Sequence, residues 1–284
     1  MNTKLGFISN LSETLSLWQK TWKQMLPFAL LAVFFGILML ALQQMTLSHA
    51  SIGNGETPKS HLYMAIALGL VGFIYNCYLI AAAIKCTMDV YQDREVIFQD
   101  LNHFAGQNLL RVLGARLLFT LFFLCAALCY IIPVGLVFWL TVDPSTFFTN
   151  QAIYMLVLAF PVIVVSLNGF LMLPSLIIKN AKIYESWKVS KTLIYGYRKT
   201  VFVHILAMGL LALCASLVLT SVPTGLLYAF KVKSTYIAGF NNVLNFLIQL
   251  IVAWIWIVYS VVLYYKLTNI KADSQATEAA TADA

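Results

Sequence analysis

The sequence predicts an all-α polytopic membrane protein with six transmembrane helices, arranged as three hairpins that each follow an amphipathic surface helix. Of the 284 residues, 61% are hydrophobic and only 10% are charged, whereas a soluble domain carries about a quarter charged residues. The chain also contains six uncharged apolar stretches, and about 20 apolar residues suffice for a helix to cross a bilayer. These stretches cover residues 26–45, 61–84, 112–142, 151–178, 201–229 and 243–265.

The first 25 residues are too polar for the apolar core of a cleavable signal peptide, so we expect the first span to be retained. Asn10 and Glu13 have the spacing of a capping box. Lys20 and Lys23 lie opposite an apolar stripe, which predicts a surface helix that ends near Pro27. The stripe comprises Leu11, Leu15, Trp18, Trp22 and Met25.

A second and stronger surface-helix pattern covers residues 179–200, which contain six Lys and Arg residues and one Glu. Its apolar residues recur at helical spacing, and its lysines fall mostly on the other side. The pattern predicts a helix in the membrane surface, with its apolar face among acyl chains and its basic face toward anionic headgroups. The alternative is an ordinary solvated connector between two spans. The apolar residues are Ile183, Trp187, Ile194, Tyr197 and Val201.

The distribution of Lys and Arg predicts the orientation of the chain. Fifteen of them lie in the leader, in the connectors 85–116 and 179–199 and after Leu263, and three lie on the other side, at Lys59, Lys231 and Lys233. Because positively charged loops stay in the cytosol, we expect both termini there. The tail, residues 272–284, is small and polar, and we expect it to be disordered beyond a single membrane domain of residues 1–271.

The same order of predicted elements, namely surface helix, span, short outer turn and span, occurs three times along the chain. Connector 93–108 supplies the middle surface helix, with a weaker pattern than the other two. A shift of 90 residues superposes Gly106 on Gly196 and the pair Pro133 and Gly135 on Pro223 and Gly225. Apolar stretches also align by chance, so a repeat and a chance alignment both stay open. The repeats would cover residues 9–84, 93–178 and 183–265.

The order of elements, the Pro-x-Gly late in the third span and the element Ser186-Trp187-Lys188-Val189-Ser190 together resemble the YciC-type family of uncharacterised bacterial inner-membrane proteins. The chain is more loosely similar to the membrane domain of some glycerophosphodiester phosphodiesterases. The resemblance extends over residues 85–266, and the chain departs from the family in separating Pro133 from Gly135 by one residue. It implies six spans and a bacterial plasma membrane, and it brings no catalytic residues.

Enzymatic chemistry finds little support in the sequence. We find no nucleophile with its base, no paired carboxylates and no metal-ligand set at recognisable spacing, and all eleven acidic residues lie outside the six apolar stretches. We therefore expect no catalytic residues, no cofactor and no metal site. Cys125 and Cys129 are four residues apart, and helix packing is a better interpretation of that spacing than soft-metal binding or redox sensing.

Neutral polar side chains lie deep in three predicted spans, at Asn76, Asn168 and Gln249. Interhelical hydrogen bonds are the simpler interpretation of such amides. The alternative is a polar pocket at helix breaks near Pro161 and Pro174, for a small or amphipathic substrate.

The favoured interpretation is a non-enzymatic multi-pass inner-membrane protein that acts in envelope or lipid homeostasis, or as a membrane partner of another protein. Its expected partners are anionic phospholipids and a protein in the membrane, and not nucleic acid, because no nucleic-acid motif accompanies the net charge of +7. A transporter or channel is the rival interpretation. The predicted headgroup-binding residues are Lys20, Lys23, Lys182, Lys188, Lys191, Arg198 and Lys199.

Overall fold

The computed structural model describes residues 5–52, 59–141, 163–230 and 234–282. Within these ranges the chain is helical and contains no β-strand. Residues 163–169 form a short helical segment ahead of the fourth named helix. The named helices are α1 (Phe7–Ile52), α2 (Lys59–Tyr91), α3 (Phe98–Thr141), α4 (Met172–Ile178), α5 (Ile183–Ile194), α6 (Arg198–Ala229) and α7 (Ser234–Ala282).

Five helices are long and apolar enough to cross a membrane, and they coincide with five of the six predicted spans. The sixth predicted span, residues 151–178, lies partly outside the described residues, and its described part belongs to a shorter apolar helix, Ile163–Ile178. The all-α class is thus confirmed for the described residues. The five long segments are Phe7–Met39, Tyr63–Tyr91, Phe98–Leu128, Arg198–Leu227 and Gly239–Thr277.

The predicted end of the first surface helix near Pro27 is wrong, because α1 continues through Pro27 over 46 residues. Proline removes one backbone N–H from the helical ladder. A full break would leave several more N–H and C=O groups without partners in apolar surroundings, at several kcal/mol each. In the same way, α3 joins most of the middle predicted surface helix, residues 93–108, to the span that follows it.

Only the third predicted surface helix, α5, is a separate element. It is followed by a turn in which Gly196 has a φ of 90°, a conformation that side chains with a Cβ rarely adopt. Gly106, which the shift of 90 residues superposes on Gly196, lies inside α3. The two glycines therefore differ in conformation, and the repeat stays a prediction.

The C-terminal tail also differs from its predicted disorder, because α7 continues as a helix to Ala282. Extending an existing helix avoids the cost of nucleation. Residues 272–282 contain five alanines, and alanine is the strongest helix former.

The described residues divide into two compact units. The first comprises Met1–Leu109 and Val203–Leu263. In it α1 packs against α2, and Ala81, Ala82 and Ala83 are fully buried, as expected where helices approach each other closely. The second unit comprises Leu110–Phe202 and Tyr264–Ala284, and it contains α4 and α5, which pack against each other.

Candidate anion-binding surface

Helix α5 lies within the basic stretch 179–200 and carries two of its six basic residues, Lys188 and Lys191. Its ends follow from local chemistry. The backbone N–H of Lys182 donates a hydrogen bond to the Glu185 carboxylate, at 3.2 Å. Glu185 lies in the first turn and Lys191 in the last, and each charge complements the helix dipole at its own end. The turn at Gly196 then separates α5 from α6.

Two fully buried serines fix α5 against α4 and the segment before it. The Ser175 hydroxyl donates to the Ser186 carbonyl at 2.9 Å. The Ser190 hydroxyl donates to the Asn168 carbonyl at 2.6 Å and accepts a hydrogen bond from the Leu171 N–H at 3.2 Å. Of the two serines in the element that carries the family resemblance, Ser190 therefore has a structural role, because its hydroxyl satisfies two buried backbone groups.

Trp187 packs on aromatic side chains of α3 in the second unit. Its ring centroid lies 4.8 Å from that of Phe122 and 6.4 Å from that of Phe119. Gly169 leaves room for these rings, because a Cβ built there would lie 2.8 Å from Trp187 and 2.4 Å from Phe119. Trp187 therefore rests on protein, where the sequence predicts contact with acyl chains, and the neighbouring Ile194 is fully buried.

All seven predicted headgroup-binding residues are exposed. Two of them belong to the first unit and five to the second. Lys188 Nζ lies 4.8 Å from the centroid of the Tyr184 ring, and the Arg198 guanidinium lies 5.4 Å from that of Tyr195. Such cation–π contacts hold the charges near the surface without neutralising them. The first unit contributes Lys20 and Lys23, and the second contributes Lys182, Lys188, Lys191, Arg198 and Lys199.

A groove of about 360 Å³ in the second unit, which we call the basic groove, gathers three lysines. Lys179 follows α4, Lys188 lies on α5 and Lys271 lies on the C-terminal part of α7. Lys271 Nζ donates to the Thr192 carbonyl, and this bond joins α7 to α5. The lining residues are Lys179, Lys188, Val189, Thr192, Leu193, Thr268, Lys271, Ala272 and Gln275.

The sequence interpretation identified only Lys188 of these three lysines as a binding residue. Lys271 is the last residue of the predicted membrane domain, and the prediction of disorder from residue 272 onward gave no reason to place it beside Lys188. Thr268, Lys271 and Gln275 are separated by three and four residues, so they share one face once the segment is helical. That spacing is the signal that predicts their proximity.

Three lysines give the basic groove its positive charge. Among the side chains that the structure describes, which do not include that of Glu278, no carboxylate lies within salt-bridge distance of these lysines. Lys85 differs, because its Nζ lies 2.6 Å from the Asp89 carboxylate. Cations gathered without a counter-charge repel each other and raise the local positive potential. The groove is therefore suited to an anion.

Arg111 holds the chain at the edge of the groove. Its guanidinium donates to the Asn180 side-chain oxygen at 2.6 Å, to the Ala181 carbonyl at 2.7 Å and to the Leu176 carbonyl at 3.3 Å. These bonds fix the connection between α4 and α5, in which Lys179 lies. Arg111 is thus a positioning residue, and its charge is directed at backbone and amide oxygens.

The amides of the predicted polar pocket have different surroundings. Asn76 and Gln249 are exposed on α2 and α7, whereas Asn168 is half-buried in the second unit. A cavity of about 540 Å³ in the first unit is lined by apolar and aromatic side chains and by Asn102, and it includes neither Asn76 nor Gln249. The polar pocket stays a prediction.

The prediction for Cys125 and Cys129 lies partly outside the side chains that the structure describes. Cys125 is free and exposed, and the side chain of Cys129 lies outside those that the structure describes. Over the described residues, no group of three or more His, Cys, Asp and Glu side chains is close enough to hold a metal ion.

Comparisons of the chain with protein-family models, curated proteins and solved structures return no match. The resemblance to the YciC-type family therefore rests on the residues quoted for it and stays a prediction. Function has to be inferred from the charge, packing and geometry of the chain itself.

Proposed function

We propose that the chain is a non-enzymatic multi-pass protein of the bacterial inner membrane whose cytosolic cations bind anionic phospholipid headgroups. It crosses the membrane six times with both termini in the cytosol, and it acts in envelope or lipid homeostasis or as a membrane partner of another protein. The observation that carries the proposal is that all seven predicted headgroup-binding residues are exposed. Exposure is the condition for reaching a lipid phosphate.

The sequence supports the sidedness of this surface. Fifteen of the 18 Lys and Arg residues fall on one side of the predicted spans, and short loops rich in Lys and Arg stay in the cytosol. The cytosolic leaflet carries the anionic lipids, and a Lys or Arg near it contributes about 1 kcal/mol of attraction. A chain with these charges would therefore collect anionic lipid around its cytosolic rim.

Charge reversal tests the proposal. Lys188→Glu, Lys191→Glu and Lys199→Glu combined remove about 3 kcal/mol of attraction, which corresponds to about a hundredfold in affinity and less once salt screens it. We expect the preference for phosphatidylglycerol over phosphatidylcholine, measured by native mass spectrometry of the purified full chain, to fall at least tenfold.

The matched control is Lys59→Glu, Lys231→Glu and Lys233→Glu combined, which changes the net charge equally on the predicted outer side. We expect this variant to keep the wild-type preference for phosphatidylglycerol over phosphatidylcholine. Equal retention of phosphatidylglycerol by both triple variants would contradict the proposed headgroup-binding role.

A further inference from the structure

We infer that the basic groove is a binding site for a phosphate monoester. The inference rests on the proposed anion-binding function and narrows it to one place and one chemical class. The groove brings lysines from three separate parts of the chain into one cavity: Lys179 after α4, Lys188 on α5 and Lys271 on α7. A surface that only attracts lipid by its net charge does not require such convergence.

The number of cations favours a monoester over a diester. A phosphate monoester carries about −1.5 to −2 charges near pH 7 because its second pKa is about 6, whereas a phosphate diester carries one. Lysine binds phosphate as a compact point charge. Three lysines with no carboxylate among their described neighbours therefore match the more highly charged group.

Neutral groups beside the lysines complete the site. The exposed side chains of Thr192 and Gln275 line the groove, and a hydroxyl and a carboxamide can each donate a hydrogen bond to a phosphate oxygen. The Thr268 hydroxyl already donates to the Tyr264 carbonyl at 2.8 Å, so it remains available as an acceptor. These groups suit a ligand that presents phosphate oxygens together with a neighbouring hydroxyl.

The apolar wall of the groove strengthens the attraction. Val189, Leu193 and Ala272 line it together with the lysines, and low-dielectric walls focus the field of nearby charges. A volume of about 360 Å³ lies at the small end of ligand pockets, which run from about 300 to 1,000 Å³. The groove therefore fits a headgroup or a small phosphorylated metabolite.

The phosphate monoester has two sources, a lipid headgroup of the phosphatidic acid type or a soluble compound. Titration calorimetry of the purified full chain in neutral detergent separates them. The probes are dihexanoyl phosphatidic acid, dihexanoyl phosphatidylglycerol, glycerol 3-phosphate and inorganic phosphate. We expect both a lipid and a soluble monoester to compete for one site, with the physiological source binding at least tenfold more tightly than the other.

Phosphatidylglycerol, a diester, is the reference ligand. If the source is a lipid, we expect phosphatidic acid to bind at least tenfold more tightly than phosphatidylglycerol. If the source is a soluble compound, we expect glycerol 3-phosphate to bind at least tenfold more tightly than phosphatidylglycerol. The double variant Lys179→Gln with Lys188→Gln should lose at least tenfold in affinity for the preferred monoester, because it removes two of the three positive charges that line the groove. The control Lys231→Gln with Lys233→Gln removes the same charge from the predicted outer side, at residues outside the headgroup-binding set. It should bind as the wild type does.

Lys271→Gln also removes the bond to the Thr192 carbonyl, so its effect combines binding with packing. Lys271→Arg keeps the positive charge and is the control for Lys271→Gln. Monoester affinity should fall at least tenfold in Lys271→Gln and by less than threefold in Lys271→Arg, with unchanged circular dichroism in both.

Two results would overturn the inference. One is an equal affinity for monoester and diester lipids together with no binding of a soluble monoester. The other is an equal loss of affinity in the groove variant and in the Lys231 and Lys233 control, which would show that net charge alone sets the affinity and would remove the specific site. Retention of all anionic-lipid binding in every lysine variant would instead contradict the proposed function itself.

Discussion

Adding one methyl group at Gly169 tests the packing that positions α5. A Cβ at this buried position would lie 2.4 Å from Phe119 and 2.8 Å from Trp187, which is well inside ordinary carbon–carbon contact distance. Both rings would have to move, and over-packing of this kind costs about 1–3 kcal/mol. We therefore expect Gly169→Ala to lower the free energy of unfolding by about that amount.

Thermal unfolding of the purified protein in a mild detergent, followed by tryptophan fluorescence, measures the effect. A change of 1 kcal/mol shifts the midpoint by about 2–4 °C in chains approaching this size, so a fall of about 2–12 °C is expected. Gly209→Ala is the matched control, since nothing lies within 4 Å of a Cβ built at this exposed position of α6. It should leave the midpoint unchanged or raise it, because alanine is favoured over glycine in helices by about 0.5–1 kcal/mol. Equal midpoints for the two variants would refute the packing argument.

Two further substitutions test how α5 is held in place and how it ends. Ser190→Ala should destabilise the protein by about 1–3 kcal/mol, because it leaves the Asn168 carbonyl and the Leu171 N–H without their Ser190 partner. Chemical unfolding measures the loss, with Ser12→Ala at an exposed position as the control. Equal stability of the two variants would contradict the expectation. Gly196→Ala should lower the free energy of unfolding by about 1–2 kcal/mol, because an alanine is strained at the positive φ of this position. Gly106→Ala inside α3 should cause no such loss. A stabilised Gly196→Ala would show that this turn does not require a glycine.

The approximate positions of the five long apolar helices in the described part of the chain could be predicted, because they depend on length and composition alone. About 20 uncharged apolar residues, such as residues 61–84, have few alternatives to a membrane-crossing helix. Their ends were less predictable. Proline is a strong local signal, but the cost of leaving backbone groups unpaired in apolar surroundings exceeded it at Pro27, where α1 continues.

The candidate site shows a second limit of prediction from local pattern. The sequence places Trp187 and Ile194 on an apolar face and Lys188 on a basic one, but pattern alone does not say whether lipid or protein covers the apolar face. Phe119 and Phe122 are about 65 residues away in sequence, so their contact with Trp187 depends on tertiary folding. The basic groove was missed for the same reason, because Lys271 approaches Lys188 only through the packing of α7 on α5.

Packing and anion binding are coupled through α5, and the Gly169 variant tests this coupling as well. Trp187 is adjacent to Lys188 in the chain, so a displacement of the Trp187 ring by a methyl group at Gly169 moves the part of α5 that carries Lys188. Gly169→Ala should therefore weaken binding of the preferred phosphate monoester to the intact protein, although it removes no charge. Gly209→Ala should bind as the wild type does. If Gly169→Ala were destabilised but bound the monoester with unchanged affinity below its unfolding temperature, the position of α5 would not control the geometry of the basic groove.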